Sequence, residues 1–242
     1  MNKLAEFLTE GTITFKKVQS PINGELVVKW DSYAGYQIMG GGLWQVGGPV
    51  EDVWRAALKS LPNDFNVSRA LILGLGGGSA AKLIRKKWGS CVIDGVDIDP
   101  VIVDLGNTYL GMSKHNVNQI IDDAFIYVSN RGKSKSKYEL ICVDTYVEST
   151  FPEKFDSEEF LINTASCLSV NGVLMVNRLY SGKDRALAHK FKKKLTQLFD
   201  SVDEVYPETE NVVFVCSGFI FPSNDKESKN NQKNRPKSTK IK

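Results

Sequence analysis

The residues best suited to bind a small ligand are a glycine run and the acids that follow it. The sequence reads LILGLGGGSA over residues 71–80, with glycines at Gly74, Gly76, Gly77 and Gly78. An apolar strand is predicted before this run and a helix after it. Glycines let the backbone approach a ligand closely, and the N-terminus of a helix offers free N–H groups. The run therefore predicts a nucleotide-binding loop, with a simple tight turn as the alternative.

The first acid stands where the next predicted strand ends. Residues 96–100 read VDIDP, and Asp97 follows Gly78 by 19 positions. A carboxylate at the carboxyl end of a parallel strand can accept both ribose hydroxyls, and open α/β sheets bind their ligands at those ends. The loop reads GxGGG rather than GxGxxG, which favours a nucleoside held by its ribose and base over a pyrophosphate. We therefore expect Asp97 to bind ribose.

A pair of acids follows the third predicted strand, where residues 120–124 read IIDDA. Asp123 would accept the exocyclic amine of adenine, while the adjacent backbone N–H meets a ring nitrogen. The alternative is an acid that caps the following helix, a role that Asp122 could fill alone. We interpret Asp123 as the residue that reads the base.

The fourth predicted strand ends at Asp144, within VDTYVEST at residues 143–150. This acid faces the same crevice. There it would orient or deprotonate an acceptor amine, or hold the amino group of the donor. The alternative is an aspartate that caps a loop. Tyr146 and Glu148 are further candidates nearby.

Metal and disulfide chemistry find little support in the sequence. The cysteines are Cys91, Cys142, Cys167 and Cys216. They form no CxxC pair and mostly stand in strand-like runs, which predicts buried, reduced thiols. The histidines, His115 and His189, are far apart, so we expect no metal site. Residues 1–10 lack the apolar segment of a signal peptide, and the apolar runs are too short to span a bilayer. We expect a soluble, cytoplasmic protein.

These residues need a scaffold that brings several strand ends together. From residue 69 onward, apolar strand-like runs alternate with amphipathic helical ones, which predicts right-handed βαβ units and a parallel sheet with helices on both faces. The last two strands have no helix between them and predict an antiparallel edge. The predicted strands are 70–73, 91–96, 117–121, 138–143, 172–176, 202–205 and 211–217, and the predicted helices are 79–88, 100–110, 123–129, 157–168 and 184–199.

The first 49 residues predict a small antiparallel β unit. Its runs of β-branched and aromatic residues are separated by glycine turns, and a helix is predicted after it at 49–61. The aromatic stretch from Trp44 to Trp54 would either pack this unit on the main sheet or close over a donor as a lid. The predicted strands of the unit are 12–16, 25–30 and 36–39.

The chain divides by these patterns into a β unit at 1–49, a nucleoside-binding domain at 50–222 and a tail at 223–242. The tail holds seven Lys/Arg and two Asp/Glu, so a net charge of +3 for the chain leaves −2 for the rest. A near-neutral body offers no general field for nucleic acid. We expect the tail to be disordered and solubilising, with RNA or an acidic partner as its alternative ligand.

Four segments together resemble the spermidine synthase family. They are residues 71–80, 96–100, 121–125 and 143–145. The resemblance implies a Rossmann-like class I S-adenosylmethionine-dependent methyltransferase fold of α/β class. Its mostly parallel, seven-stranded sheet would have the order 3-2-1-4-5-7-6, with helices on both faces and a small N-terminal β unit. Members of the family are commonly dimers, so a homodimer is the expected assembly.

The resemblance also implies roles for single residues. Asp144 falls at the position of the catalytic aspartate, and Gln45 would lie beside the donor. Asp97 would bind ribose, while Asp123 and Ala124 would hold adenine. The glycines expected to line the donor site are Gly74, Gly76, Gly77 and Gly78.

The chain departs from the family where polyamine is bound. Gly77 replaces an aspartate that contacts the amine end of the donor. Trp54 and Ala56 replace a tyrosine and a glutamate. The D-x-x-D-P stretch becomes DTYVE, so its second aspartate and its proline are missing. A dication needs carboxylates at both ends, because an unpaired buried ammonium costs several kcal/mol. The departures leave the acceptor open.

The sequence therefore predicts a spermidine synthase-like transferase. Its donor would be S-adenosylmethionine or the decarboxylated form, and it would move a methyl or aminopropyl group to a polyamine or another amine without a metal. The alternative is a non-catalytic domain that binds a nucleoside or a protein partner. A nicotinamide-linked oxidoreductase is disfavoured by the GxGGG loop and the late β-hairpin.

Overall fold

The computed structural model describes residues 11–131, 136–147 and 150–220, together with Lys3 and Phe7. The side chain of Leu43 is not described. The tail predicted at 223–242 and the candidate Glu148 lie outside these residues. No helix in the described ranges is long and apolar enough to cross a membrane. Within the same ranges, no three His, Cys, Asp or Glu side chains cluster as metal ligands would.

The N-terminal residues form an antiparallel sheet. Its strands are β1 (Thr12–Ser20), β2 (Gly24–Asp31), β3 (Gly35–Gly40) and β4 (Leu43–Val46), each paired with the next along the chain. Strand β4 was not predicted from the sequence. This strand has only four residues, and four residues are too few for an alternation of apolar and polar side chains to distinguish a strand from a loop.

The main sheet has seven strands in the described part of the chain. They are β5 (Arg69–Leu73), β6 (Val92–Asp97), β7 (Val117–Ile121), β8 (Tyr138–Val143), β9 (Leu168–Leu179), β10 (Phe199–Val205) and β11 (Asn211–Phe219). Their spatial order is β10-β11-β9-β8-β5-β6-β7. Numbered from β5, this is the order 3-2-1-4-5-7-6 that the family resemblance implied. Strands β5 to β9 pair in parallel, while β11 runs antiparallel to both β9 and β10.

Helices cover both faces of the main sheet. They are α1 (Pro49–Ser60), α2 (Ser79–Lys87), α3 (Pro100–Tyr109), α4 (Ala124–Arg131), α5 (Glu158–Ala165) and α6 (Asp184–Leu198). Successive strand residues point to opposite faces. Ile72 therefore packs in one core with α1, α2, α3 and the N-terminal sheet, whereas Leu71 and Leu73 pack in the other with α4, α5 and α6. Both faces are buried, as the near-continuous apolar strands predict.

Strand β9 is longer than the sequence suggested. The prediction began at Gly172 because Asn171-Gly172 is typical of a turn. The strand instead begins at Leu168, and the helix predicted at 157–168 ends at Ala165. Inside the strand, position 172 requires a glycine because a Cβ there would lie 2.8 Å from the carbonyl oxygen of Tyr138. A glycine in a strand often marks such a close backbone approach.

A buried aspartate joins the N-terminal sheet to the main domain. Asp99 is fully buried, and its Oδ2 accepts hydrogen bonds from Ser20 Oγ and Asn23 Nδ2, both at 2.6 Å. Its Oδ1 accepts from the N–H of Val101 at 2.8 Å and so caps α3. The second acid of VDIDP is therefore a structural anchor. It fixes the turn between β1 and β2 beside the end of β6.

Candidate active site

A cavity of about 460 Å³ opens at the carboxyl ends of the central parallel strands. Its walls also include β4 and α1. Of the site residues predicted from the sequence, those that line it are Gln45, Gly74, Gly76, Gly77, Asp97, Asp123, Ala124 and Asp144. Gly78 does not line it. It stands at the N-cap of α2 with φ 92, where a Cβ would lie 2.7 Å from Cγ of Met112.

Two of the glycines allow close packing around the cavity. Gly74 has φ +88, and a Cβ there would lie 2.1 Å from the carbonyl oxygen of Asp144. The loop and the strand end at Asp144 can therefore meet only without a side chain at this position. A Cβ at Gly77 would lie 2.9 Å from Cγ1 of Val46 and 3.2 Å from Cδ1 of Leu110. The space beside Gly77 is already filled by apolar atoms.

Asp97 is held in place by two backbone groups. Its Oδ2 accepts from the N–H of Gly76 at 2.6 Å, and its Oδ1 accepts from the N–H of Asp99 at 2.9 Å. Burial raises the pKa of Asp97 to about 6, against the lowering effect of these two hydrogen bonds. Each carboxylate oxygen retains a lone pair. The carboxylate is thus positioned to accept hydroxyl groups in the cavity.

Asp123 has two roles in the structure. Its Oδ1 caps α4, accepting from the N–H of Phe125 at 2.8 Å, while its Oδ2 contacts the ammonium of Lys154. Burial raises the pKa of Asp123, but Lys154 and the backbone donors outweigh it, so the pKa lies below its ordinary value. Asp122 does not cap the helix. Its Oδ1 accepts from the N–H of Asp123 instead.

Asp144 accepts hydrogen bonds from two neutral side chains. Trp54 Nε1 donates to Oδ2 at 3.0 Å, and Asn177 Nδ2 donates to Oδ1 at 2.9 Å. Asn211 Nδ2 donates in turn to Asn177 Oδ1 at 3.0 Å, which fixes the orientation of the Asn177 amide. Burial raises the pKa of Asp144, and the bonds from Asn177 and Trp54 partly oppose this. Among the described residues, no charged group pairs with this carboxylate.

The remaining candidates support the walls of the cavity. The hydroxyl of Tyr146 accepts from the N–H of Leu179 at 2.7 Å, and burial raises the pKa of Tyr146 to about 12. Gln45 donates through Nε2 to the carbonyl of Gly40 at 3.3 Å. Ala124 begins α4 beside Asp123. Trp54 is 1% exposed, so it packs in the core as well as bonding Asp144.

Sequence reasoning missed three polar contacts of the site. Asn177 lies on β9 after the predicted strand 172–176, so a search for polar residues following each strand would have found it. Trp54 was noted only as a departure, although an indole N–H can donate to a carboxylate. No pattern in the sequence indicated that Lys154 belongs to the site. Its contact with Asp123 joins residues 31 positions apart in the chain.

Curated proteins similar to this chain include an aminopropyltransferase and a methyltransferase. The chain is 34% identical over 130 residues to a polyamine aminopropyltransferase of Vibrio vulnificus, covering 53% of this chain and 44% of that protein. It is 28% identical over 117 residues to the eEF1A lysine and N-terminal methyltransferase of Homo sapiens, covering 44% of this chain and 17% of that protein. The chain thus spans less than half the length of these relatives.

A crystal structure of spermidine synthase in complex with the transition-state analogue AdoDATO has the same fold. It matches with a TM-score of 0.71 at 16% identity, covering 92% of this chain and 80% of that chain. The sequence pattern of the spermine/spermidine synthase domain matches residues 51–233, which include most of α1, the glycine loop and the seven strands of the main sheet. This chain belongs to the spermine/spermidine synthase domain family.

Proposed function

We propose that this protein is a transferase that binds an adenosyl sulfonium donor and moves an alkyl group to an amine. The donor would be S-adenosylmethionine or its decarboxylated form. The transferred group would then be methyl or aminopropyl. The family membership and the relatives named for aminopropyl and methyl transfer support this class of reaction.

The donor half of the proposal rests on the fit of a nucleoside to the cavity. Asp97 offers carboxylate oxygens for ribose hydroxyls, and the volume of the cavity is typical of small-molecule sites. Ile98, Ala124 and Phe155 also line the cavity and supply apolar surface for a purine. Thr145 lines the cavity too, and its hydroxyl is buried with no hydrogen-bond partner among the described residues. A buried polar atom of this kind calls for a ligand or water.

The observation that carries the proposal is the environment of Asp144. Asp144 lines the cavity, yet within the described ranges only neutral donors reach its carboxylate. A buried negative charge without a cation is costly, so the site favours a positively charged ligand group. An amine entering as ammonium would bind there and lose its proton to Asp144. The neutral nitrogen would then attack the carbon beside the sulfonium. The C–S bond would break with its electron pair on sulfur, leaving a thioether.

The surroundings of Gly77 favour the intact donor over the decarboxylated one. Val46 and Leu110 fill the space where an aspartate side chain would bind a terminal ammonium. Ser79 and Ala80 line the cavity in the first turn of α2, and Gly78 provides no side-chain cap for that turn. Free N–H groups at a helix N-terminus favour an anion such as the carboxylate of S-adenosylmethionine. We therefore infer methyl transfer, with aminopropyl transfer as the second candidate.

A calorimetric titration tests the proposal directly. The protein would be titrated with S-adenosylmethionine, decarboxylated S-adenosylmethionine and methylthioadenosine. We expect the intact donor to bind most tightly. Tighter binding of the decarboxylated donor would support aminopropyl transfer instead. Binding of none of the three would contradict the proposal and favour a non-catalytic interaction domain.

A further inference from the structure

The part of the cavity at Asp123 and Ala124, where we expect adenine to bind, contains an ion pair that the family resemblance did not suggest. Asp123 and Lys154 both line the cavity, and the ammonium of Lys154 contacts Oδ2 of the carboxylate. The other oxygen, Oδ1, already accepts from the backbone N–H groups of Phe125 and Ile126. Both oxygens of the carboxylate expected to read the base are therefore engaged.

Lys154 is held at this position by the chain around it. It lies in a short 3₁₀ helix, Glu153–Asp156, whose carbonyl at Lys154 accepts from Ser157 Oγ at 2.6 Å. The next residue, Phe155, is buried and packs against the ring of Phe160 at 4.9 Å between centroids. The side chain of Lys154 remains 45% exposed, while that of Asp123 is 15% exposed. The backbone is thus fixed, and the ammonium can leave Asp123 toward solvent.

The pair changes what the base pocket can recognise. An adenine amine must share or take Oδ2 of Asp123 from the ammonium of Lys154. The oxygen that replaces this amine in a 6-oxopurine cannot donate to the carboxylate, but it could accept a hydrogen bond from Lys154. The low pKa of Asp123 agrees with a carboxylate that stays ionised beside this cation.

We propose that Lys154 determines the base specificity of this site, because it competes with the adenine amine for Asp123 and offers a donor to 6-oxopurines. The inference rests on the proposed nucleoside site and goes beyond it. If Lys154 acts in this way, the wild-type protein discriminates adenine from hypoxanthine less strongly than a variant that lacks the lysine.

The test compares 5′-methylthioadenosine with 5′-methylthioinosine by calorimetry. Lys154→Met keeps most of the length of the side chain and removes its charge. We expect the ratio of affinities, adenine over hypoxanthine, to rise about tenfold in this variant, since one hydrogen bond is gained and another lost. Lys193→Met is the matched control, because Lys193 is exposed on α6 outside the cavity lining. Its ratio should equal that of the wild type.

Two further measurements keep the proposal open to refutation. In an Asp123→Asn background, Lys154→Met should raise the ratio less than in the wild type, because the competition needs the carboxylate whereas the donation to a 6-oxopurine does not. In the wild type, added salt should raise the ratio by screening the partly exposed ion pair. An unchanged ratio in Lys154→Met would overturn the role of Lys154 while leaving the donor site intact. Failure of every variant to bind either nucleoside would overturn the proposed function as well.

Discussion

At the scale of single residues, two aspartates in the cavity have raised pKa values for the same reason but bind different partners. Asp97 is stabilised by backbone N–H groups, whereas Asp144 is stabilised by an indole and an amide. Burial makes the largest contribution to the raised pKa of both aspartates. A ligand that donates hydrogen bonds or brings a positive charge would therefore lower both pKa values on binding.

Asp97 should make donor binding depend on pH. Its pKa of about 6 means that the carboxylate is mostly protonated at pH 5 and mostly ionised at pH 7. Ribose hydroxyls donate to the ionised form, so binding favours loss of the proton. We expect the affinity for methylthioadenosine to rise about tenfold from pH 5 to pH 7 in calorimetry. Asp97→Asn should bind more weakly at pH 7 and show a flat profile. A wild-type profile that falls with pH would contradict this role.

Trp54 should tune the pKa of Asp144. The indole N–H lowers that pKa, so Trp54→Phe removes a stabilising donor from the ionised form. We expect the pKa of Asp144 to rise further in this variant, measured by NMR titration of labelled carboxyl groups. Trp88→Phe is the matched control, since Trp88 Nε1 donates to the carbonyl of Phe65 away from the cavity. Equal pKa values in both variants would rule out this effect.

Sequence reasoning located the carboxylates of the site but not their partners. Asp97, Asp123 and Asp144 each follow a predicted parallel strand, and the ends of such strands meet at one edge of the sheet. Local pattern was therefore enough to bring them together. Trp54 and Asn177 reach Asp144 from elements 90 and 33 residues away. Such contacts depend on how elements pack, which local periodicity does not encode.

At the scale of elements, the N-terminal sheet and α3 share one anchor. Three donors converge on Asp99, and two of them, Ser20 and Asn23, are themselves buried. The order of the main sheet followed from family resemblance. Nothing in the sequence indicated that Asp99 also holds the N-terminal sheet, because the role of a helix cap before a proline already explains an aspartate at this position.

Removal of this anchor should destabilise the fold. We expect Asp99→Ala to lower the free energy of unfolding by about 2–4 kcal/mol, because it removes a helix cap and leaves buried donors without an acceptor. Chemical denaturation measures the change. Asp104→Ala is the control, since Asp104 is an exposed residue of the same helix. A loss below about 0.5 kcal/mol in Asp99→Ala, as for ordinary surface substitutions, would contradict an anchoring role.

At the scale of the whole molecule, two hydrophobic cores share the main sheet, and cysteines are distributed between them. All four cysteines of the chain are free and buried, as the sequence predicted. Cys91 and Cys142 belong to the core beneath the N-terminal sheet, and Cys167 and Cys216 to the core beneath α5 and α6. Burial raises the pKa of both Cys91 and Cys167 to about 11.

Thiol reactivity should therefore report on unfolding of the whole chain. We expect no cysteine of the native protein to react within minutes with a soluble aromatic disulfide at pH 8, because buried thiols are neither ionised nor accessible. All four should react once the protein is denatured. One fast-reacting thiol under native conditions would show that at least one core opens locally.

The contacts of Asp144 have a consequence for how the protein acquires its site during folding. The carboxylate is held by a helix that precedes it by 90 residues and a strand that follows it by 33. Contacts of such sequence separation close late, because long loops lose more entropy on closure. Asn177 also follows the first four parallel strands in the chain, so it is synthesised after them. We therefore expect the reactive geometry to be among the last features to form.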